Sequence, residues 1–178
     1  MDIDIYRSVS FSGYRKQKLM RSICEEGSLE SVERALGEEI EALYQRGYNT
    51  FITGGADGFD LMATVAVARL KSLHEDVKLV VAIPFEGYDK DFDECDREHY
   101  ASLIEGADLV EVVSPHYHQR VYLARNDYML RNSSVLLCYY DGVKGGTMYT
   151  FNRAKRSCKE VINLAASAPE VEVEPTLF

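Results

Sequence analysis

Two glycine-rich stretches carry the residue types that hold phosphate. Gly54, Gly55, Ala56, Asp57, Gly58 and Asp60 form one, and Gly145, Gly146 and Thr147 end the other. Each follows an apolar run and opens a segment with helical spacing. A glycine turn between strand and helix brings unpaired backbone N–H groups close to an anion, and the helix dipole favours negative charge at the same place. The two turns together predict a grip on one nucleotide-like ligand. Asp57 and Asp60 fall where acidic side chains cap a helix or complement its dipole. The Thr147 hydroxyl has two roles open to it, helix cap or phosphate ligand, and capping is the more ordinary one.

Further candidates belong at the same edge of a sheet. Ser12, Gly13 and Arg15 follow the first apolar run, and the planar fork of Arg15 suits a phosphate or a carboxylate. Arg125 and Asn126 share a helix face with Tyr122 and Met129. A buried arginine there needs a partner, either a ligand or an internal carboxylate such as Asp57 or Asp60, and the internal one is preferred. Tyr14, Tyr88 and Tyr117 follow strand ends and are the leading residues for stacking on a base. His116 and His118 have no third ligand at a useful spacing, so they read as a loop rim and no metal site is predicted. His74 ends one helix and His99 starts another.

The elements that must position these residues alternate along the chain. Strands are expected over residues 3–11, 48–53, 77–83, 109–113 and 135–140, with a short last one over 161–164. Pro84 is expected to end the third and Pro115 the fourth. Helical spacing runs through Leu29, Val32, Leu36, Ile40 and Leu43, then from Leu61 to Leu70, through Tyr100, Leu103 and Ile104, over residues 119–131, and through Phe151 and Ala154. Residues 88–98 are dense in charge and read as a solvated loop. This alternation predicts one α/β domain over residues 1–166, a doubly wound, mostly parallel sheet with helices on both faces, and an acidic tail over 167–178. Ligands in such sheets collect beyond the carboxyl ends of the strands, where the strand order reverses.

Composition narrows the partners. The 178 residues carry a formal net charge of -9, which argues against nucleic acid as the partner. No apolar stretch of membrane-spanning length occurs, and the four cysteines show no Cys-x-x-Cys pair, so a reducing, cytoplasmic setting is expected. Cys138 reads as a small buried hydrophobe, while Cys24, Cys95 and Cys158 have no basic partner in sequence to mark a reactive thiol.

In order, Ser12 to Arg15, Gly54 to Asp60, Pro84 with Phe85, Arg125 with Asn126, and Gly145 to Thr147 resemble the SLOG superfamily, and within it the YpsA-like branch. The resemblance spans about residues 5–164. It implies a Rossmann-like fold and a pocket for a nucleotide or nucleotide-derived ligand. Both glycine turns would hold phosphate or ribose, and Ser12, Gly13, Arg15, Arg125 and Asn126 would complete the pocket. The LOG-type phosphoribohydrolases of that superfamily carry a glutamate in their second glycine motif, where this chain has Thr150. Threonine cannot supply carboxylate chemistry, so the expectation is a sensor or regulatory protein for an ADP-ribose-like molecule or a nucleoside phosphate. The alternatives are a LOG-type nucleotide hydrolase, with Asp57, Asp60 or a carboxylate of residues 89–98 as acid or base, and an interaction protein acting through self-association. A homo-oligomer is left open, and no cofactor is required by the sequence.

Overall fold

A computed structural model describes residues 1–26 and 28–165, apart from the side chains of 24–26. The Cys24 thiol and the acidic tail therefore lie outside the described residues. A six-stranded sheet forms from β1 (Ser8–Ser12), β2 (Thr50–Thr53), β3 (Lys78–Phe85), β4 (Leu109–Ser114), β5 (Val135–Cys138) and β6 (Glu160–Asn163), in the order β4-β3-β2-β1-β5-β6. Every pairing is parallel. The connecting helices are α1 (Lys16–Glu26), α2 (Leu29–Gln45), α3 (Phe59–Leu73), α4 (Glu94–Gly106), α5 (Val121–Arg131) and α6 (Gly146–Arg156). This is the doubly wound, Rossmann-like α/β architecture expected from the alternation.

Side chains alternate across each strand, so the two faces of the sheet bury different sets. Phe51, Leu79 and Val81 pack into one large cluster with Leu36, Ile40 and Leu43 of α2 and Phe59, Ala63 and Val67 of α3. Their neighbours Ile52, Val80 and Ala82 face the other way, onto Met129 of α5. Cover on both faces explains why the central strands read as apolar runs rather than as apolar–polar alternation. The buried hydroxyl of Ser10 is satisfied within the core, where Ser133 Oγ donates to it at 2.8 Å.

Strand order reverses at β1, which pairs with β2 on one side and β5 on the other. The connections after β1 and β5 therefore leave the sheet in opposite directions and open a crevice between them. Most of the candidate residues gather at that crevice.

Several boundaries differ from the sequence expectation. Residues 5–7 form a 3-10 turn (Ile5–Arg7) before β1 instead of extending it. β3 passes through Pro84 to Phe85, because β2 has already ended opposite Val81 and no neighbour on that side asks the proline for an N–H. β5 stops at Cys138, two residues short of the expected end. Beyond it the Asn163 side chain takes over from the ladder, accepting from Tyr140 N at 2.9 Å. α4 begins at Glu94, inside the charged stretch expected to be loop, because the Asp93 carboxylate caps it by accepting from Asp96 N at 2.8 Å. α1 has no counterpart in the sequence expectation: Leu19, Ser22 and Ile23 are its buried residues outside the undescribed side chains, a stripe too thin to stand out among charged neighbours.

Candidate ligand cleft

At the carboxyl ends of the strands a cleft of about 480 Å³ gathers residues from four places in the chain. The end of β1 and the loop after it contribute Ser12, Gly13 and Arg15, and the first glycine turn with the start of α3 contributes Ala56 and Asp60. α5 adds Arg125 and Asn126, and the second turn adds Gly145, Gly146 and Thr147. The four other candidates, Gly54, Gly55, Asp57 and Gly58, do not line it. Gly55 and Asp57 face an adjoining smaller cavity instead.

The first turn is closed on itself. Thr53 Oγ1 accepts from Gly55 N at 3.2 Å, and the Tyr14 carbonyl accepts from Phe59 N, the first amide of α3, at 3.1 Å. The amides of Gly54 and Ala56 bond the carboxylate of Asp60, which lies buried beneath them. An anion from the chain itself thus fills the place that the glycine pattern offers to phosphate. Burial pushes the Asp60 carboxyl up to about 6, against the opposing pull of the Arg125 and Arg15 guanidinium groups and those two amides. Asp57 caps a helix, but not its own: Asp57 Oδ2 accepts from Lys16 N at 3.2 Å, at the start of α1, while the N-cap of α3 is Gly58. Arg15 completes this corner through an exposed ion pair with Asp57 at 3.3 Å.

Arg125 is buried as expected, but among the described residues no carboxylate is its bonded partner. Its Nη1 donates to the Gly54 carbonyl at 2.6 Å and its Nε to Asn126 Oδ1 at 3.0 Å. Asn126 Nδ2 in turn donates to Thr150 Oγ1 at 2.9 Å, and Thr150 donates to the Gly146 carbonyl at 3.0 Å. A continuous chain of hydrogen bonds therefore joins Gly54 in the first turn to Gly146 in the second. Thr150, which stands where a LOG-type hydrolase has its glutamate, is 2% exposed and is committed to this chain.

The second turn is open. Gly145 is the N-cap of α6 without a side-chain cap, and Thr147 is the second helical residue, so the expected capping by its hydroxyl does not occur. Among the described residues no acceptor takes the amides of Gly146, Thr147 or Met148. A Cβ on Gly146 would meet no atom within 4 Å. The preceding loop is held from α1 and the residues before it. The Asp141 carboxylate accepts from the hydroxyls of Tyr14 and Ser22, and Lys18 Nζ donates to the carbonyls of Val143 at 3.3 Å and Lys144 at 3.1 Å. Burial raises Asp141, but the bonds from Ser22 and Tyr14 outweigh it and hold the carboxyl below its ordinary value. The Lys18 ammonium also sits 4.0 Å from the centre of the Tyr14 ring and lines the cleft. The sequence reading missed Lys18 along with α1; a cation five residues after Gly13 is the signal that would have found it.

The stacking candidates separate. Tyr14 is buried and bonded to Asp141, so it offers no free face. Tyr88 is buried among Phe85, Phe92, Tyr100 and Tyr122, and Tyr117 is 63% exposed against Phe85. Tyr122 lines the cleft, with the Arg15 guanidinium 5.9 Å from its ring centre. His116 and His118 are exposed. His99, expected at a helix start, lies inside α4, and its Nδ1 is 3.8 Å from the exposed Cys95 thiol, a basic partner that the sequence reading did not assign. Cys138 is buried, and burial pushes its thiol up to about 12. Among the described residues no group of three or more His, Cys, Asp or Glu is arranged to hold a metal, and no helix is long and apolar enough to cross a membrane.

Comparison with known proteins bears on the fold and the family. A UPF0398 protein of Halalkalibacterium halodurans is 27% identical over 141 residues, which is 78% of this chain and 75% of that one. A UPF0398 protein of Bacillus thuringiensis (strain Al Hakam) is 25% identical over 151 residues, 83% and 82% of the two chains. Among solved structures, DNA processing protein A of Streptococcus pneumoniae superposes with a TM-score of 0.55 at 17% identity, covering 95% of this chain and 52% of that one. The Helicobacter pylori protein, described for its single-stranded DNA binding mode, gives 0.59 at 17% identity, covering 93% and 66%. This chain thus spans about half to two thirds of those two proteins, and they share its fold. The family model described as the YspA SLOG family matches residues 9–165, and the chain belongs to that family, YpsA.

Proposed function

We propose that this protein binds a nucleotide or nucleotide-derived phosphorylated small molecule, a nucleoside phosphate or an ADP-ribose-like compound, and acts as a sensor or regulatory protein. The observation that carries the reading is the open amino end of α6 facing a cleft of about 480 Å³ beside Lys18, Arg15 and Arg125. Free amides, a helix dipole and nearby cations form a phosphate receptor, and they lie at the strand-order reversal where such folds bind ligands. The phosphate belongs at Gly145, Gly146 and Thr147. The first turn, already filled by Asp60, serves as the wall that holds Arg125. Commitment of Thr150 to the hydrogen-bond chain supports binding over LOG-type hydrolysis.

Isothermal titration with nucleoside phosphates and ADP-ribose is expected to give micromolar binding, with every compound returned unchanged by mass spectrometry. Silence across the panel overturns the reading, and conversion of a bound compound replaces it with an enzyme. A second reading, single-stranded nucleic acid, is favoured by the described DNA binding of the Helicobacter pylori relative in fold. The same receptor would then take a backbone phosphate. A short oligonucleotide that binds more tightly than its component mononucleotides would decide for it.

A further inference from the structure

Beside the main cleft, and sharing Arg15 and Ala56 as walls with it, lies a side chamber of about 80 Å³. Its lining differs in kind. Tyr88, Phe92 and Tyr100 supply aromatic surface, packed edge to face with ring centres 5.0 to 6.1 Å apart. At the rim stand Asp96 and His99 of α4. Among the described residues neither the Asp96 carboxylate nor the Tyr100 hydroxyl has a hydrogen-bond partner. The partition is light: Arg15 reaches across it to Asp57 at 3.3 Å and to the Tyr88 hydroxyl at 3.5 Å, both long contacts on an exposed side chain. A phosphate in the cleft would compete for that guanidinium.

From these observations we infer that the side chamber is the base subsite of the ligand, taking an aromatic six-membered ring whose outer edge carries an amino group. The inference rests on the phosphate-receptor reading above. Size sets the first part: the chamber offers about 80 Å³ against about 480 Å³ in the main cleft, so the flat end of a nucleotide is the part that suits it. The sugar and phosphate stay in the main cleft. Aromatic walls supply a stacking and edge-packing surface for such a ring. Asp96 sets the second part, because an ionised carboxylate only accepts hydrogen bonds and so selects a ring edge that donates one. A carbonyl at the same position faces the carboxylate lone pairs instead.

The test compares ribose 5-phosphate, CMP and UMP by titration calorimetry. CMP and UMP differ along one ring edge, whose outermost position is an amino donor in the first and a carbonyl acceptor in the second, while the adjacent ring nitrogen is bare in CMP and carries a hydrogen in UMP. CMP is expected to bind about fivefold more tightly than ribose 5-phosphate, the smallest gain typical of a stacked base. It is also expected to exceed UMP, and Asp96→Asn should remove that preference while leaving ribose 5-phosphate binding unchanged. Asp96 is exposed, so the variant keeps the fold. Tyr100→Ala should bring CMP down to the level of ribose 5-phosphate. Equal binding of CMP and ribose 5-phosphate overturns the base subsite alone, as does a CMP preference that survives in Asp96→Asn. Failure of all three phosphates to bind overturns the receptor reading with it.

Discussion

The two glycine turns look alike in sequence and differ in every physical respect that matters for binding. The first is buried or partly buried over most of its length, carries its own anion in Asp60, and has amides engaged by Thr53, Tyr14 and that carboxylate. The second is exposed from Gly142 to Gly146 and leaves the first amides of α6 unused. Glycine serves close packing in one and access in the other. A glycine pattern therefore marks where backbone comes near something, and the something must be found from what already occupies the space.

Substitutions can break this contrast, starting with the largest effect. Gly58 has φ +83° and a Cβ there would overlap the Tyr14 carbonyl, so Gly58→Ala is expected to cost about 3 kcal/mol or more in urea unfolding. A midpoint unchanged from the parent would show the first turn to be as slack as the second. Asp60→Asn tests the internal anion through pH. Because the folded-state carboxyl is raised to about 6, its protonated form favours folding below about pH 4, and that contribution is lost as pH rises through 6. Relative to Asp60→Asn, the parent should lose on the order of 3 kcal/mol between pH 4 and 7, and parallel stability curves would remove Asp60 from its assigned place.

For the open turn the expectation inverts. Gly146→Val should keep the unfolding midpoint, since nothing stands within 4 Å of its Cβ, yet weaken nucleoside phosphate binding by about a hundredfold by occupying the receptor. Normal affinity in that variant would move the ligand elsewhere. Asn126→Ala sharpens the comparison by cutting the link between the turns. It strands Arg125 Nε and removes the bond that Thr150 Oγ1 accepts, at an expected cost of about 1 to 2 kcal/mol, and should also weaken binding at the distant second turn. Loss of stability with binding intact would make the chain of bonds a purely local brace.

Much of this was legible in the residues. The apolar run at residues 77–83 announced a strand covered on both faces, that at 135–140 announced a further strand, and the glycines after Thr53 and before Thr147 marked the crevice edge. Asp60 was visible as a helix-start acid, but its role depends on α3 turning the carboxylate back under Gly54, which no spacing rule states. Thr150 was legible only as a missing glutamate; its work as a connector appears once α5 and α6 lie side by side. Lys18 stayed hidden because the helix that carries it has so narrow an apolar stripe.

Tyr14 and Asp141, whose bond fixes the loop before α6, are 127 residues apart in the chain. Closing so long an interval is entropically expensive and has to be supported by the rest of the sheet. A growing polypeptide that has emerged only as far as β4 has the loop after β1 and the first glycine turn but neither α5 nor the second turn. Readiness to bind thus arrives late and all at once, so ligand capture would itself report that synthesis and folding of this domain are complete.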